Sequence, residues 1–384
     1  MNRQNSSVRG RRDVRNTVFV PSAERQAYNG EVASEPGATA SSIQTETIPE
    51  ASELEQTTVS PIKAPGVFQE EKTLSDTTSV HSAQSLGALV HHPELLQPGL
   101  NSSIVETVST WFSNGAVSKS FVIGEIALAL NSSETVGESE TIRLENFQVL
   151  EKIAPNPSFV TASVSEKGKE KATADEGAGE YTIAVAAIKR SSPVVAFKYQ
   201  IHLDPANLSA FSPVLITPAW QIQDAQASVI VVYTLNPAFT FNSTTTSISL
   251  KNVTVSVSLD PSTEAGKATG AMMAPQAGGT FKKKQGLVIW KLPELVVTNE
   301  QQKLLVRFLT TGAKARAGHV DAKWELPGTS GSKLGVSVLS GAKKSQEKAG
   351  DPFADENNTL VGSARTWNEV HTARRLVSGK YSAS

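Results

Sequence analysis

The sequence contains no cysteine, which excludes disulfides, thiolate catalysis and cysteine-ligated zinc. Its six histidines are scattered apart from the His91-His92 pair, so neither a metal nor another cofactor is expected. Long apolar runs are missing as well: nowhere do about 18 apolar residues follow one another. The basic N-terminus MNRQNSSVRGRRDVRN has no apolar segment behind it, and the reading is a soluble, unsecreted chain without a membrane span. A surplus of either charge is also absent. Thirty-six basic against 37 acidic residues leave a formal charge of −1, which argues against duplex DNA or another polyelectrolyte as partner.

Aromatic residues are scarce in one part of the chain. Phe19, Tyr28 and Phe68 are the aromatics of the first hundred residues, whereas all five tryptophans lie beyond residue 110. From Ala33 to Thr78 the text is Ser, Thr, Glu, Pro and Ala with isolated aliphatics. That is too little apolar surface to offset roughly 1–2 kcal/mol of backbone entropy per residue. Residues 1–103 therefore read as a disordered linker, with a basic arm over 1–25 and an acidic Ser/Thr-rich stretch over 31–78. Such an arm is first of all solvated, and without interleaved stacking aromatics it does not read as a nucleic-acid contact. Its sharper reading makes Arg9, Arg11, Arg12 and Arg15 candidates for anionic phospholipid.

Beyond Lys119 the dominant period is two. Val195, Phe197, Tyr199, Ile201 and Leu203 alternate with Ala196, Lys198, Gln200 and His202, and Val253, Val255, Val257 and Leu259 alternate with Asn252, Thr254, Ser256 and Ser258. These are half-buried antiparallel strands. Similar runs span Phe121 to Leu130, Ile142 to Ile153, Tyr181 to Ile188, Val229 to Leu235, Leu287 to Leu292, Leu304 to Thr310, Val320 to Leu326 and Leu334 to Leu339. Asp204-Pro205, Asn236-Pro237, Asp260-Pro261 and Pro327-Gly328 punctuate them. One short helical turn is expected at Ser109 to Asn114, and nothing longer. Strands without alternating helices predict an all-β fold of sandwich type. Glu166 to Gly179, Ala265 to Gly279 and Ser340 to Asn358 read as exposed polar loops.

No catalytic constellation emerges. The sequence has no G-x-S-x-G elbow, Walker loop, H-E-x-x-H or G-x-G-x-x-G, and an enzyme is not expected. Asn-x-Ser/Thr sequons at Asn101, Asn131, Asn207, Asn242 and Asn252 carry the alternative of a secreted or surface adhesin-like structural protein. Two local features point to partners instead. Asp351-Pro352-Phe353 places a Phe in a polar insert, where it costs hydration unless it finds a pocket, and the Pro limits the entropy lost on docking. Such a tripeptide suits clathrin-adaptor appendage domains and EH-type modules. Lys282, Lys283 and Lys284 stand together before a strand, a solvated hairpin or a contact for anionic lipid.

The segment Phe281-Lys282-Lys283-Lys284-Gln285-Gly286-Leu287-Val288-Ile289-Trp290-Lys291-Leu292 resembles the clathrin-adaptor medium chains in its order of aromatic, polar turn and Trp-bearing strand. Val320 to Pro327 with Ser330-Gly331, Ser228 to Phe239, and the closing Ser378-Gly379-Lys380-Tyr381 resemble further family segments in the correct order. Within that superfamily the chain looks most like the muniscins, especially fungal ones, whose linkers Arg9 to Thr17 also resembles. Muniscins normally begin with a helical F-BAR domain, of which this sequence shows no trace.

The resemblance implies an elongated mu homology domain over 104–384, with subdomain B (224–328) inserted into subdomain A (104–223 and 329–384). It implies an adaptor of early clathrin-mediated endocytosis, cytoplasmic and peripheral at plasma-membrane endocytic sites. Its partners would be transmembrane cargo tails, EH-domain scaffold proteins, adaptor appendages and anionic phospholipid. Medium chains hold Tyr-based cargo peptides on an edge strand beside a Trp. Here that position falls near His371, and Trp367 is offset by four residues, so a Tyr-motif pocket is not expected.

Overall fold

A computed structural model of the chain describes residues 14–19, 91–132, 137–163, 179–239, 245–260, 266–311, 314–340 and 365–384. Among the described residues, nineteen strands, numbered along the chain, form three sheets. The largest runs, in spatial order, β1 (Arg15–Asn16), β5 (Leu150–Pro155), β8 (Val194–Ile201), β3 (Ala116–Asn131), β2 (Gly99–Ser113), β19 (His371–Ala383), β16 (Ala317–Pro327), β11 (Ser247–Leu259), β14 (Leu287–Thr298) and β13 (Gly279–Lys282). A four-stranded sheet consists of β12 (Ala268–Ala274), β15 (Gln302–Thr310), β10 (Gln226–Leu235) and β9 (Val214–Gln223). The five-stranded sheet consists of β18 (Trp367–Glu369), β17 (Gly335–Leu339), β4 (Ser139–Glu145), β7 (Glu180–Ala184) and β6 (Val160–Ala162). The fold is thus all-β, with two smaller sheets packed on one long one. Tyr181 of β7 meets Phe197 of β8 edge-on at 4.8 Å, and Phe281 of β13 packs on Phe308 of β15 at 6.5 Å.

Strands with one solvated face follow the sequence pattern. In β11, Val253, Val255, Val257 and Leu259 are buried while Asn252, Thr254, Ser256 and Ser258 are not. The same alternation fails in the middle of the long sheet because both faces are covered there. β8 buries Ala196 and Lys198 as well as Phe197, Tyr199 and Ile201, so its supposed polar side is also interior.

β2 shows the consequence most clearly. It buries Ser102, Ser103, Glu106, Ser109 and Thr110, and each polar group needs a tertiary partner. Ser102 Oγ meets Thr372 Oγ1 at 2.6 Å, and Thr110 Oγ1 meets Ser212 Oγ at 2.7 Å. Glu106 accepts from the Tyr199 hydroxyl at 3.0 Å, from the Gly331 and Ser332 backbone N–H groups at 2.6 and 3.2 Å, and from the Ser332 hydroxyl. Burial pushes its carboxyl above the usual range while these donors pull it back. Tyr199 reaches Glu106 across Gly124, where a Cβ would stand 2.2 Å from the Tyr199 ring.

Four expectations are corrected. Ser109 to Ser113 continues β2, with the turn at Asn114-Gly115, rather than closing a helical turn. Ile142 to Ile153 is broken by a 3-10 turn at Phe147–Val149, so β4 and β5 enter different sheets. Ala265 to Gly279 contains β12, whose small side chains gave it the look of a loop. The β fold begins before Ile104: Leu95 is buried, Asn101 Nδ2 donates to the Gln97 carbonyl at 2.6 Å, and β2 starts at Gly99. Upstream, residues 14–19 lie against β5, so this part of the basic arm is not merely solvated.

Candidate partner and membrane surfaces

Trp290, Trp324 and Tyr381, among the residues that carried the family resemblance, turn out to be anchors of the core. Trp290 is wholly buried and its indole donates to the Pro275 carbonyl at 2.8 Å. Trp324 and Phe112 meet the Tyr381 ring edge-on at 5.3 and 5.1 Å, and the Tyr381 hydroxyl donates to the Val214 carbonyl, linking β19 to β9. The preceding Ser378-Gly379 makes this possible. Ser378 Oγ accepts from the Trp324 N–H at 2.8 Å, and a Cβ on Gly379 would stand 2.3 Å from Ser109 Oγ. These residues position surfaces and do not line one.

Lys282, Lys283 and Lys284 are exposed at the end of β13 and in the 3-10 turn that follows it. Gly286 closes that turn in the left-handed region, where a Cβ would lie 3.7 Å from the Ala268 side chain, beside the exposed Lys267. Gly266 in turn backs onto Ala315: a Cβ there would stand 2.7 Å from the Ala315 Cα, between the exposed Lys314 and Arg316. The fold therefore gathers Lys267, Lys314 and Arg316 around the three lysines, with Asp260 beside them through its N–H to the Arg316 carbonyl at 3.2 Å. Sequence reasoning found the contiguous three; the others arrive through hairpins and left no local signal.

Arg15, the described member of the N-terminal candidates, is not brought to this cluster. β1 and β13 are the opposite ends of the ten-stranded sheet, nine strand spacings or roughly 40 Å apart. Arg9, Arg11 and Arg12, as well as Asp351, Pro352 and Phe353, lie outside the described residues.

A second surface escaped the sequence altogether. On β15, Leu304, Val306 and Phe308 turn inward, leaving Leu305, Arg307 and Leu309 on the outer face of the four-stranded sheet. Register places Ser228 opposite Arg307, Ile230 opposite Leu305, and Met272 opposite Arg307 on the other side. Ile230, Met272, Leu305 and Leu309 are each 39–53% exposed. A shallow groove of about 550 Å³ is lined by Ile230, Met272 and Leu305, with Trp220 and Arg307 in its walls. Contiguous apolar side chains beside a cation make this face a candidate docking surface.

Trp367 occupies the edge strand β18 and stacks under the Arg143 guanidinium at 4.6 Å. The final strand β19 is paired on both sides, to β2 and to β16. Asn101, one of the sequon residues behind the adhesin alternative, is wholly buried. Among the described residues, no three His, Asp or Glu side chains are placed to hold a metal ion.

The long shared sheet with its two smaller partners defines a mu homology domain. The Fcho1 mu homology domain of Danio rerio, solved with a bound Eps15 peptide, has this fold with a TM-score of 0.50 and 16% identity, over 76% of this chain and 98% of that one. Residues 98–384 match the muniscin C-terminal mu homology domain, and the chain belongs to that family. It is 28% identical over 300 residues to the Saccharomyces cerevisiae protein "Suppressor of yeast profilin deletion". The match covers 74% of this chain and 30% of that relative's length.

Proposed function

We propose that this chain is an endocytic adaptor of clathrin-coated sites, whose β domain docks transmembrane cargo tails and EH-domain or adaptor-appendage partners at the cytoplasmic face of the plasma membrane. The observation that carries this reading is the muniscin mu homology domain over residues 98–384. The bound Eps15 peptide of the zebrafish relative supports peptide docking as the mode of action. The exposed apolar face of the four-stranded sheet supports a protein-gripping role. We place subdomain B at 224–328, inserted into subdomain A at 104–223 and 329–384. The basic end around Lys282, Lys283 and Lys284, with the arm bearing Arg9, Arg11, Arg12 and Arg15, is assigned to anionic phospholipid. Several weak contacts raise one another's effective concentration, so no single one has to be tight.

Asp351-Pro352-Phe353 is assigned to an appendage or EH domain. A Phe353→Ala chain is expected to lose most of its recovery of such domains in pull-down, because the ring is the apolar anchor of the tripeptide. Unchanged recovery would remove the tripeptide from the account.

A further inference from the structure

At the far edge of the long sheet, β5 is not left open. Within residues 14–19 of the same chain, Arg15–Asn16 forms the parallel strand β1 along it, with Arg15 opposite Lys152 and Asn16 opposite Ile153. The Thr17 N–H donates to the Ile153 carbonyl at 2.7 Å. Val14 packs against the core, and the Phe19 ring lies under the Lys198 ammonium at 5.5 Å. Lys198 also pairs with Glu125 at 3.3 Å, and His92 Nε2 faces the same carboxylate at 3.6 Å. The contact has the elements of peptide recognition by strand addition: a backbone ladder for affinity and side-chain seats for specificity.

The contact is also small. Two of the six residues of β5 have partners in β1, parallel ladders are the weaker kind, and Val18 remains 80% exposed. Seventy-one residues, 20–90, separate this strand from the next described segment. Belonging to the same chain, the segment meets this edge at a raised effective concentration. Such a strand stays mostly docked in the absence of competition and yields to a ligand that uses more of the edge.

We infer that the β5 edge is a docking site for an extended peptide with an aliphatic residue followed five positions later by an aromatic, and that residues 14–19 are its resident, exchangeable occupant. The aliphatic residue takes the place of Val14. A backbone N–H takes that of Thr17, and the aromatic sits at Lys198 in place of Phe19. Partner peptides of this pattern must compete with the chain's own segment. This inference does not depend on the endocytic assignment, since it concerns an edge and its occupant whatever coat the protein serves.

The test uses the full chain and a fluorescent peptide carrying residues 13–20, followed by anisotropy. Thr17→Pro in the chain removes the N–H that holds the segment and lies outside the folded layers. That variant is expected to bind the peptide about tenfold more tightly than the wild-type chain, as the loss of an internal competitor requires. A peptide carrying proline at the Thr17 position should not bind either chain. Equal affinities for the two chains, binding to neither, or undiminished binding of the proline peptide would overturn the inference.

Discussion

Replacing Lys282, Lys283 and Lys284 together by glutamate is expected to lower partition onto phosphoinositide-containing vesicles by at least about 100-fold at moderate salt. Each lysine near a negatively charged surface contributes about 1 kcal/mol, so loss of the three alone corresponds to about two decades, and the added negative charges extend it. The three lysines are exposed at the end of β13 and in the turn after it, so the substitution leaves the core untouched. Lys267, Lys314 and Arg316 stand around the same turn and retain a residual attraction. Wild-type binding should fall steeply as salt is raised, because exposed charges are screened over roughly 10 Å at 0.1 M. Reversing Arg11, Arg12 and Arg15 examines the N-terminal arm separately. Sedimentation that ignored salt and both sets of reversals would remove lipid from the account.

The largest effect on stability is expected at Glu106. Alanine there leaves the Gly331 and Ser332 N–H groups and the Tyr199 hydroxyl without their acceptor. At about 1–3 kcal/mol for each orphaned buried group, the three together cost about 3–9 kcal/mol. Glutamine keeps the shape and one carbonyl acceptor, and the Tyr199 and Ser332 hydroxyls can turn to accept from its amide. The two substitutions should therefore part company in urea melts.

The pH dependence follows from the raised carboxyl. The folded protein holds the Glu106 proton more firmly than the unfolded chain does. Its contribution is fully present below the ordinary value of 4.5 and is lost as pH rises through the elevated one. Glu106→Gln should abolish that part of the slope. A slope that survives in the glutamine variant would show that another group is responsible.

How much of this was legible in the sequence depended on how many faces of a strand are covered. β11 and β16 alternate because one side meets solvent; their valines declared the strands, and the segment around Trp324 also carried the family resemblance. β2 could not be read, because Ser102, Glu106 and Thr110 are interior and their partners lie about 100 to 270 residues away. No local pattern encodes such a pairing. The outer face of the four-stranded sheet was hidden for the opposite reason: apart from Arg307, Leu304 to Leu309 and Val229 to Val232 are apolar on both sides and read as buried twice over. Charge behaved similarly. Lys282 to Lys284 are adjacent in the text, whereas Lys267, Lys314 and Arg316 join them through the contacts of Gly286 with Ala268 and Gly266 with Ala315. The docked segment at β5 gave no sign beyond the isolated Phe19, since a two-residue strand has no period to detect.

The most direct measurement of the central claim, that this β fold grips other proteins at a coat, is a calorimetric titration of the full chain with an EH-domain scaffold protein. The account predicts saturable one-to-one heat that survives in the Lys282-Lys283-Lys284 glutamate variant. A folded chain that gives no heat with the scaffold, or that turns over a small substrate, would contradict it.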